Sequence, residues 1–300
     1  MVFIQILLPV FIIFALGYIG QKKIGFDVKN LSVMALYLMS PILAFRTFYQ
    51  TPLDIRYIHM LVYSVLLCVL LLFIIFIIGK LLGYTRSEQC GVMLAAAFMN
   101  NGNYGTPVVL FAFGAAGLDY AVVLMVFQSL LMSTFGLFIA ALGGRGQVTI
   151  KASLASVIRM PIIYGAFGGL LIQLVSLTIP EYIFIAVDFV ADATVPTIMI
   201  ILGMQLASIS LKRIPVGKVT VALVIRLVVS PVIALLLVIM LPVDEMLAKI
   251  MILMAAMPTA ANTTMYSLQF GTEPDLVSSS TLISTLLSLV TLPILLWVLL

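Results

Sequence analysis

The chain has 300 residues, of which 64% are hydrophobic and only 9% are charged. A soluble domain is roughly half apolar and about a quarter charged, so this composition excludes a soluble enzyme and indicates an integral membrane protein embedded in the lipid bilayer. The formal net charge of +4 therefore reflects a bias among membrane loops, and no nucleic-acid partner is expected.

The residue types that usually build cofactor and metal sites are scarce in this sequence. There are two cysteines, Cys68 and Cys90, and one histidine, His59, and they do not combine with carboxylates at metal-ligand spacing. A phosphate-binding glycine loop of the GxxxxGK(S/T) type is also missing. We therefore expect no cofactor, no metal, no catalytic residue and no enzymatic activity.

Ten apolar stretches follow one another along the chain, each close to the roughly 20 residues that a helix needs to cross the hydrocarbon core. We number them segments 1 to 10, and they lie at about 2–20, 31–49, 57–82, 89–113, 119–143, 161–179, 182–206, 219–241, 246–270 and 276–299. Segment 1 lacks a preceding basic region and a cleavage site, so it is predicted to be a retained helix rather than a signal peptide. The sequence thus predicts an all-α integral membrane fold with ten transmembrane helices.

The distribution of lysine and arginine predicts the orientation of these segments. If the N-terminus lies outside, the outward loops carry only Arg56 and Lys249. The inward loops carry eleven basic residues, which are Lys22, Lys23, Lys29, Lys80, Arg86, Arg145, Lys151, Arg159, Lys212, Arg213 and Lys218. Membrane proteins show this excess on the cytoplasmic side, so both termini are expected outside the cell membrane.

The middle of segment 4 is polar although its flanks are apolar, since residues 97–109 read AFMNNGNYGTPVV. If this stretch were a surface loop, each flank would be too short to span the bilayer. We therefore interpret it as a broken helix at membrane depth, which is tolerated only where the backbone is buried in protein or lines an aqueous cavity. Gly102 and Gly105 permit non-helical geometry there, and Pro107 removes a helical hydrogen-bond donor.

Segment 9 carries a matching interruption, PTAANTT at 258–264. Segments 4 and 9 each extend from a glutamate to a Phe-Gly pair, at 88–114 and 245–271, and segments 2 and 7 correspond loosely through Pro41 and Pro196. Five crossings in each half is an odd number, so the halves 1–145 and 146–300 are predicted to cross the membrane in opposite senses. Inverted repeats of this kind are typical of secondary transporters.

Two broken helices that meet would direct helix ends at one point, where positive N-terminal ends favour an anion. Amide side chains there can bind a carboxylate or satisfy the unwound backbone. Gly, Pro, Ser and Thr are also common in ordinary membrane helices, and a packing role suits Tyr104 equally well. The two interruptions predict a substrate site formed by Asn100, Asn101, Gly102, Asn103, Tyr104, Pro107, Pro258, Asn262 and Thr263.

Four charged residues fall inside the predicted helices, where charges are rare and are functional candidates. Asp188 and Asp192 lie one turn apart in segment 7. They are predicted either to form a scaffold ion pair with Arg46 of segment 2 or to carry a coupled proton. Arg226 in segment 8 is predicted either to attract an anionic substrate or to snorkel to the membrane surface.

The string NNGNYGTPVV resembles the broken-helix motif of the auxin efflux carrier family, which includes plant PIN-type carriers and bacterial permeases. The resemblance covers the whole chain and implies two inverted five-helix repeats. Segments 1, 2, 6 and 7 would form a scaffold, and segments 3–5 and 8–10 a transport domain with crossing broken helices 4 and 9. It also implies carboxylates such as malate or malonate as substrates. Auxin is not implied, because the long cytoplasmic loop of the large plant members is absent.

The leading hypothesis is therefore a secondary transporter that moves small organic anions by alternating access. A sodium-coupled symporter of the bile-acid type is an alternative, because Asn and Thr oxygens could hold Na⁺. A membrane sensor that binds without transport is another, and an intramembrane enzyme is disfavoured by the lack of paired catalytic groups. The coupling ion, proton or sodium, and a homodimeric assembly stay open.

The orientation generates the first prediction. A cysteine introduced in the joint at 146–152 should react with an impermeant thiol reagent only from the cytoplasmic side, and one introduced beside Asp119 only from outside. Labelling in intact cells and in inverted vesicles measures both. The opposite accessibility would show that the charge bias has been read in the wrong direction.

Overall fold

The structure is a computed structural model that describes residues 2–144, 158–209 and 214–300. Its regular elements are helices, and their bounds are α1 Val2–Ile24, α2 Val28–Gln50, α3 Ile55–Leu81, α4 Arg86–Ala97, α5 Asn101–Gly143, α6 Pro161–Leu174, α7 Glu181–Ser208, α8 Val216–Ile239, α9 Glu245–Ala255, α10 Ala261–Phe270 and α11 Pro274–Leu299. The described residues contain no β-strand beyond one isolated bridge, so the predicted all-α class is confirmed.

Within the described residues, seven helices are long and apolar enough to cross a membrane, which makes the protein multi-pass. Segments 1, 2, 3, 7, 8 and 10 each correspond to one of them. Segment 4 is divided between α4 and α5, and α5 joins its second half to segment 5. Segment 9 is divided between α9 and α10, and segment 6 is the shorter helix α6. The arrangement of ten crossings in two inverted repeats stays a prediction.

The 43-residue helix α5 contains a break at Gly114, where φ is 71° and ψ is −164°. A side chain is strongly disfavoured in this conformation, so the break requires glycine. It falls between the predicted segments 4 and 5. A glycine that ends one helical stretch and begins another thus accounts for the merging of two predicted segments into one element.

The described residues form two compact units. The first unit holds residues 2–58, 102–126 and 158–208, and the second holds residues 59–101, 127–144, 209 and 214–300. The predicted boundary at 145/146 and the joint at 146–152 lie outside the described residues, as do Arg145, Lys151, Lys212 and Arg213. The division into two halves, with scaffold and transport domains, therefore stays a prediction.

Two helix pairs in the first unit pack at backbone distance. A Cβ atom added to Gly203 of α7 would lie 2.0 Å from the carbonyl oxygen of Phe14 in α1, and one added to Gly165 of α6 would lie 2.0 Å from that of Pro41 in α2. Small residues allow membrane helices to approach this closely and to gain dispersion contacts along their whole backbones. The glycines therefore fix the pairs α1–α7 and α2–α6.

In the second unit, side chains cap the N-terminal ends of α4 and α9. Thr85 and Glu88 form a reciprocal capping box at the start of α4, and Lys218 donates to the Glu88 carboxylate. The Asp244 side chain accepts from the Leu247 backbone N–H at 2.9 Å at the start of α9. Carboxylates in a first turn also interact favourably with the helix dipole, so both N-terminal ends are stabilised locally.

Substitution of the packed glycines should separate the helices of the first unit. We expect Gly203→Ala and Gly165→Ala each to destabilise the protein by at least about 1–3 kcal/mol, because the added methyl group meets backbone that cannot rotate away. Thermal unfolding in detergent measures the effect. The matched control is Gly217→Ala in α8, where the new methyl group would meet nothing within 4 Å and should be harmless. Equal stability of all three variants would contradict this packing.

Candidate functional site

Both predicted interruptions are present as short breaks between helices. The helix α4 ends at Ala97, the backbone is extended at Phe98 (φ −112°, ψ 117°), and α5 begins at Asn101. The helix α9 ends at Ala255 and α10 begins at Ala261, after an extended Ala260 (φ −63°, ψ 132°). Each break leaves a C-terminal helix end on one side and an N-terminal end on the other.

The two breaks pair with each other inside the second unit. Met99 and Thr259 form an isolated antiparallel β-bridge. The Asn100 N–H donates to the Pro258 carbonyl at 2.8 Å, and the Ala260 N–H donates to the Phe98 carbonyl at 3.0 Å. We call residues 98–101 and 256–263 the crossing. Its unwound backbone is buried and satisfied by the opposite break, as an apolar interior requires.

Side chains add further hydrogen bonds to the crossing. The Thr259 hydroxyl donates to the Ala95 carbonyl in the last turn of α4 at 2.6 Å, and the Ser284 hydroxyl of α11 accepts from the Thr259 N–H at 3.1 Å. Thr263 is fully buried, and its hydroxyl donates to the Ala260 carbonyl at 2.7 Å. The crossing is thus a fixed element of the second unit.

The position of the first break corrects one sequence-based expectation. Gly102 and Gly105 are not unwound, because residues Asn101–Gly105 form a π-helical turn. Pro107 lies inside α5, in the α-helical stretch that follows this turn, and there it removes one backbone donor. The unwound residues are instead Phe98, Met99 and Asn100, which can leave the helix because the second break supplies their partners.

The structure divides the predicted substrate residues between its two units. Asn100, Asn101, Pro258, Asn262 and Thr263 lie in the second unit, at the crossing. Gly102, Asn103, Tyr104 and Pro107 lie in the first unit. Tyr104 is fully buried there, with its ring centroid 5.1 Å from that of Phe14, which is the packing role considered for it. A part in substrate binding stays a prediction for all nine residues.

Two amide side chains of the crossing have unused hydrogen-bonding capacity. Asn101 is 4% exposed, and its Oδ1 atom has no hydrogen-bond partner among the described residues. Asn262 is half-buried in the first turn of α10, and no hydrogen bond of its side chain is formed within the described chain. A buried amide oxygen without a donor is costly, so the Asn101 side chain is the more unusual of the two.

Arg226 also belongs to the second unit, and it does not snorkel. It lies in a π-helical turn, Ile225–Val229, and its side chain is fully buried. Nη1 donates to the Ala96 carbonyl at 2.9 Å, and Nη2 donates to the Ala255 carbonyl and to the Ser230 hydroxyl. The snorkelling interpretation is therefore wrong, while attraction of substrate by Arg226 stays a prediction.

The predicted contact between Arg46 and the aspartates of α7 is present in the first unit. Arg46 Nη1 lies 2.5 Å from Asp192 Oδ1 and 3.6 Å from Asp188 Oδ1. The Arg46 side chain is mostly buried, whereas the Asp192 side chain is 74% exposed. The geometry fits a scaffold ion pair, and a role in proton coupling stays a prediction.

A cavity of about 260 Å³ lies beside this ion pair, within the first unit. Its polar lining comprises Arg46, Gln50, Asp119 and Asp192. The Asp119 carboxylate accepts a hydrogen bond from Thr47 at 3.4 Å. Sequence reasoning did not select Asp119, although an acidic residue at the start of an apolar segment was the available signal. The remaining lining is apolar and consists of Leu110, Ala115, Leu118, Ala191 and Val195.

A helical membrane protein with two paired helix breaks invites comparison with known proteins. A match to the membrane transport protein family, which is the auxin efflux carrier family, spans residues 2–296. The chain belongs to this family. The resemblance carried by the NNGNYGTPVV string is thereby confirmed for the whole chain, and the membrane transport protein family is a family of transporters.

Individual relatives of this membrane transport protein are similar over nearly their whole length. An uncharacterized transporter of Methanothermobacter thermautotrophicus is 29% identical over 290 residues, which cover 95% of this chain and 92% of the relative. A candidate malonate transporter of Rhizobium meliloti is 28% identical over 298 residues, with the same coverage of 95% and 92%. An uncharacterized transporter of Methanocaldococcus jannaschii is 25% identical over 314 residues.

The unequal distances from Arg46 predict unequal effects of the two aspartates on stability. Asp192→Asn should lower the free energy of unfolding by about 1 kcal/mol. The effect is modest because solvent around the exposed Asp192 side chain screens the ion pair. Asp188→Asn should have a smaller effect, and Glu181→Gln, an exposed control at the start of the same helix, should lose only its interaction with the helix dipole, about 0.3 kcal/mol. Thermal unfolding in detergent ranks the three variants. A larger effect of Asp188→Asn would contradict the observed pairing.

Proposed function

We propose that the protein is a secondary transporter that carries small organic anions, carboxylates of the malonate and malate type, across the cytoplasmic membrane by alternating access. The observation that carries this proposal is the pairing of two helix breaks at a buried crossing. Half-helices with discontinuous backbone are the usual binding elements of secondary transporters, because their free ends and side chains can replace the hydration shell of a ligand.

The chemistry of the crossing supports an anion as the ligand. The N-terminal ends of α5 and α10 begin there, and free N–H groups at such ends bind carboxylates. Asn101 and Asn262 place amide groups on the same two ends, within the second unit. Amides can donate to a carboxylate or accept from a protonated one. The Rhizobium relative named as a candidate malonate transporter makes malonate the natural first probe.

The driving ion is the second part of the proposal. The sequence has no nucleotide-binding loop, so an ion gradient or the membrane potential would supply the energy. Asp188 and Asp192 are the candidates for a coupled proton, because both lie beside Arg46 and Asp192, which is largely exposed, lines the cavity. Sodium coupling is favoured by one observation, the buried Asn101 oxygen with no donor among the described residues. Uptake driven by an imposed pH gradient or by a sodium gradient distinguishes the two.

Removal of the crossing amides should weaken binding without unfolding the protein. We expect Asn101→Ala and Asn262→Ala each to cost roughly 1–3 kcal/mol of malonate binding energy, since a ligand group loses its partner. That corresponds to a roughly five- to 150-fold rise in Kd, measured by calorimetry on purified protein with and without Na⁺.

The matched control is Asn30→Ala, which removes an exposed amide that donates to the Asp27 carboxylate at the start of α2. It should bind malonate as the unaltered protein does. Wild-type affinity in both crossing variants, with unchanged melting temperatures, would mean that the crossing is not the binding site. Failure of the unaltered protein to bind malonate, malate and related acids would reject the proposed substrate class.

A further inference from the structure

The helices α4 and α9 end at the crossing, and α5 and α10 begin there. Their ends differ in the hydrogen-bonding and charged groups that they contact. The N-terminal ends of α4 and α9, which lie away from the crossing, are capped by Thr85, Glu88 and Asp244. At the crossing, the first turns of α5 and α10 contain no acidic residue, and Ala260 provides no side-chain cap for α10. The inner C-terminal ends of α4 and α9 are held by Arg226. Among the described ends at the crossing, the N-terminal ends of α5 and α10 therefore lack a charged residue in their first turns, whereas the two C-terminal ends contact Arg226.

Arg226 bridges the two inner C-terminal ends with one guanidinium group. Ala96 and Ala255 lie in the last turns of α4 and α9, whose carbonyls have no partner inside their own helix. The guanidinium donates to both carbonyls, and Ser230 supports it by donating to the Ala255 carbonyl at 2.8 Å. The side chain thus fixes how far apart the two helix ends can lie.

The charge of Arg226 is balanced by these helix ends rather than by a carboxylate. Across the described residues, Arg226 forms no ion pair, and in the second unit Glu88 and Glu245 pair instead with Lys218 and Lys249. Each helix C-terminus carries the equivalent of about −0.5 elementary charge, so two ends offset about one positive charge. A buried cation that lacks a carboxylate is costly unless such dipoles compensate it.

We propose that Arg226 is the positioning residue that sets the anion preference of the crossing by neutralising the C-terminal ends of α4 and α9. With these ends neutralised, the N-terminal ends of α5 and α10 dominate the local electrostatic potential, which is positive. Without Arg226, the negative ends would offset them and the crossing would be nearly neutral. The effect on a substrate rests on the proposed function, whereas the effect on the potential does not.

The potential can be measured without any substrate. A single cysteine, Asn262→Cys, placed in a chain that also carries Cys68→Ala and Cys90→Ala, reports the field at the start of α10. Thiols at helix N-termini ionise more readily than the free thiol, whose pKa is about 8.5. The rate of alkylation as a function of pH gives the pKa of the introduced thiol. We expect a pKa below that of the free thiol when Arg226 is present.

Three substitutions then separate the charge of Arg226 from its packing. Arg226→Gln should raise the thiol pKa by about one unit, because the negative helix ends are no longer offset. Arg226→Lys keeps the charge and should keep most of the depression. Ser230→Ala removes a neighbouring hydroxyl but leaves the charge, so it should leave the thiol pKa unchanged. Melting temperature and gel filtration identify the variants that remain folded.

The Arg226 substitutions, made in a chain that keeps Asn262, connect the potential to ligand choice. Arg226→Gln should weaken binding of malonate at least about tenfold and leave binding of uncharged malonamide unchanged. An equal thiol pKa in folded Arg226→Gln would overturn the proposal. If Arg226→Gln does not fold, Arg226→Lys decides the question. A thiol pKa that is no longer lowered in this folded, charge-conserving variant would overturn the proposal. A shifted thiol pKa, together with no binding of malonate by the unaltered protein, would instead support the role of Arg226 and reject the proposed substrate.

Discussion

Backbone that leaves a helix inside an apolar protein must find new hydrogen-bond partners, and here the two breaks supply them to each other. The Asn100 N–H reaches the Pro258 carbonyl and the Ala260 N–H reaches the Phe98 carbonyl. Neither break could be buried alone, because each unsatisfied group would cost free energy comparable to a lost hydrogen bond. The ends of α4, α5, α9 and α10, and therefore the candidate site, are positioned by this mutual pairing.

The existence of the breaks follows from the sequence, but their position does not. Asparagine, glycine and proline within an apolar segment indicate an interruption, and both segments that carry them are interrupted. The unwound residues of the first break include Phe98 and Met99, whose side chains give no local signal for extended backbone. They are extended because Thr259 lies opposite, a long-range contact that periodicity and propensity do not report.

The contacts of the charged residues can also be predicted only in part from the sequence. The contact of Arg46 with Asp192 and Asp188 could be expected, because charges inside apolar segments pair with opposite charges and the predicted repeat matches segment 2 with segment 7. The partners of Arg226 could not be expected, because they are backbone carbonyls of alanines, which look the same in every sequence. The types of the neighbouring side chains therefore do not explain how such an arginine is accommodated. Helix ends behave as charges, and their positions are set by tertiary structure.

The breaks divide their segments nearly in the middle, since α9 has 11 residues and α10 has 10. At 1.5 Å per residue each piece spans roughly 15 Å, about half of the hydrocarbon thickness. A charge held between them would have traversed about half of the membrane potential, which is roughly 1.1 kcal/mol per elementary charge at 100 mV. Voltage would therefore act on the occupancy of the crossing from either side of the membrane, before any helix has moved.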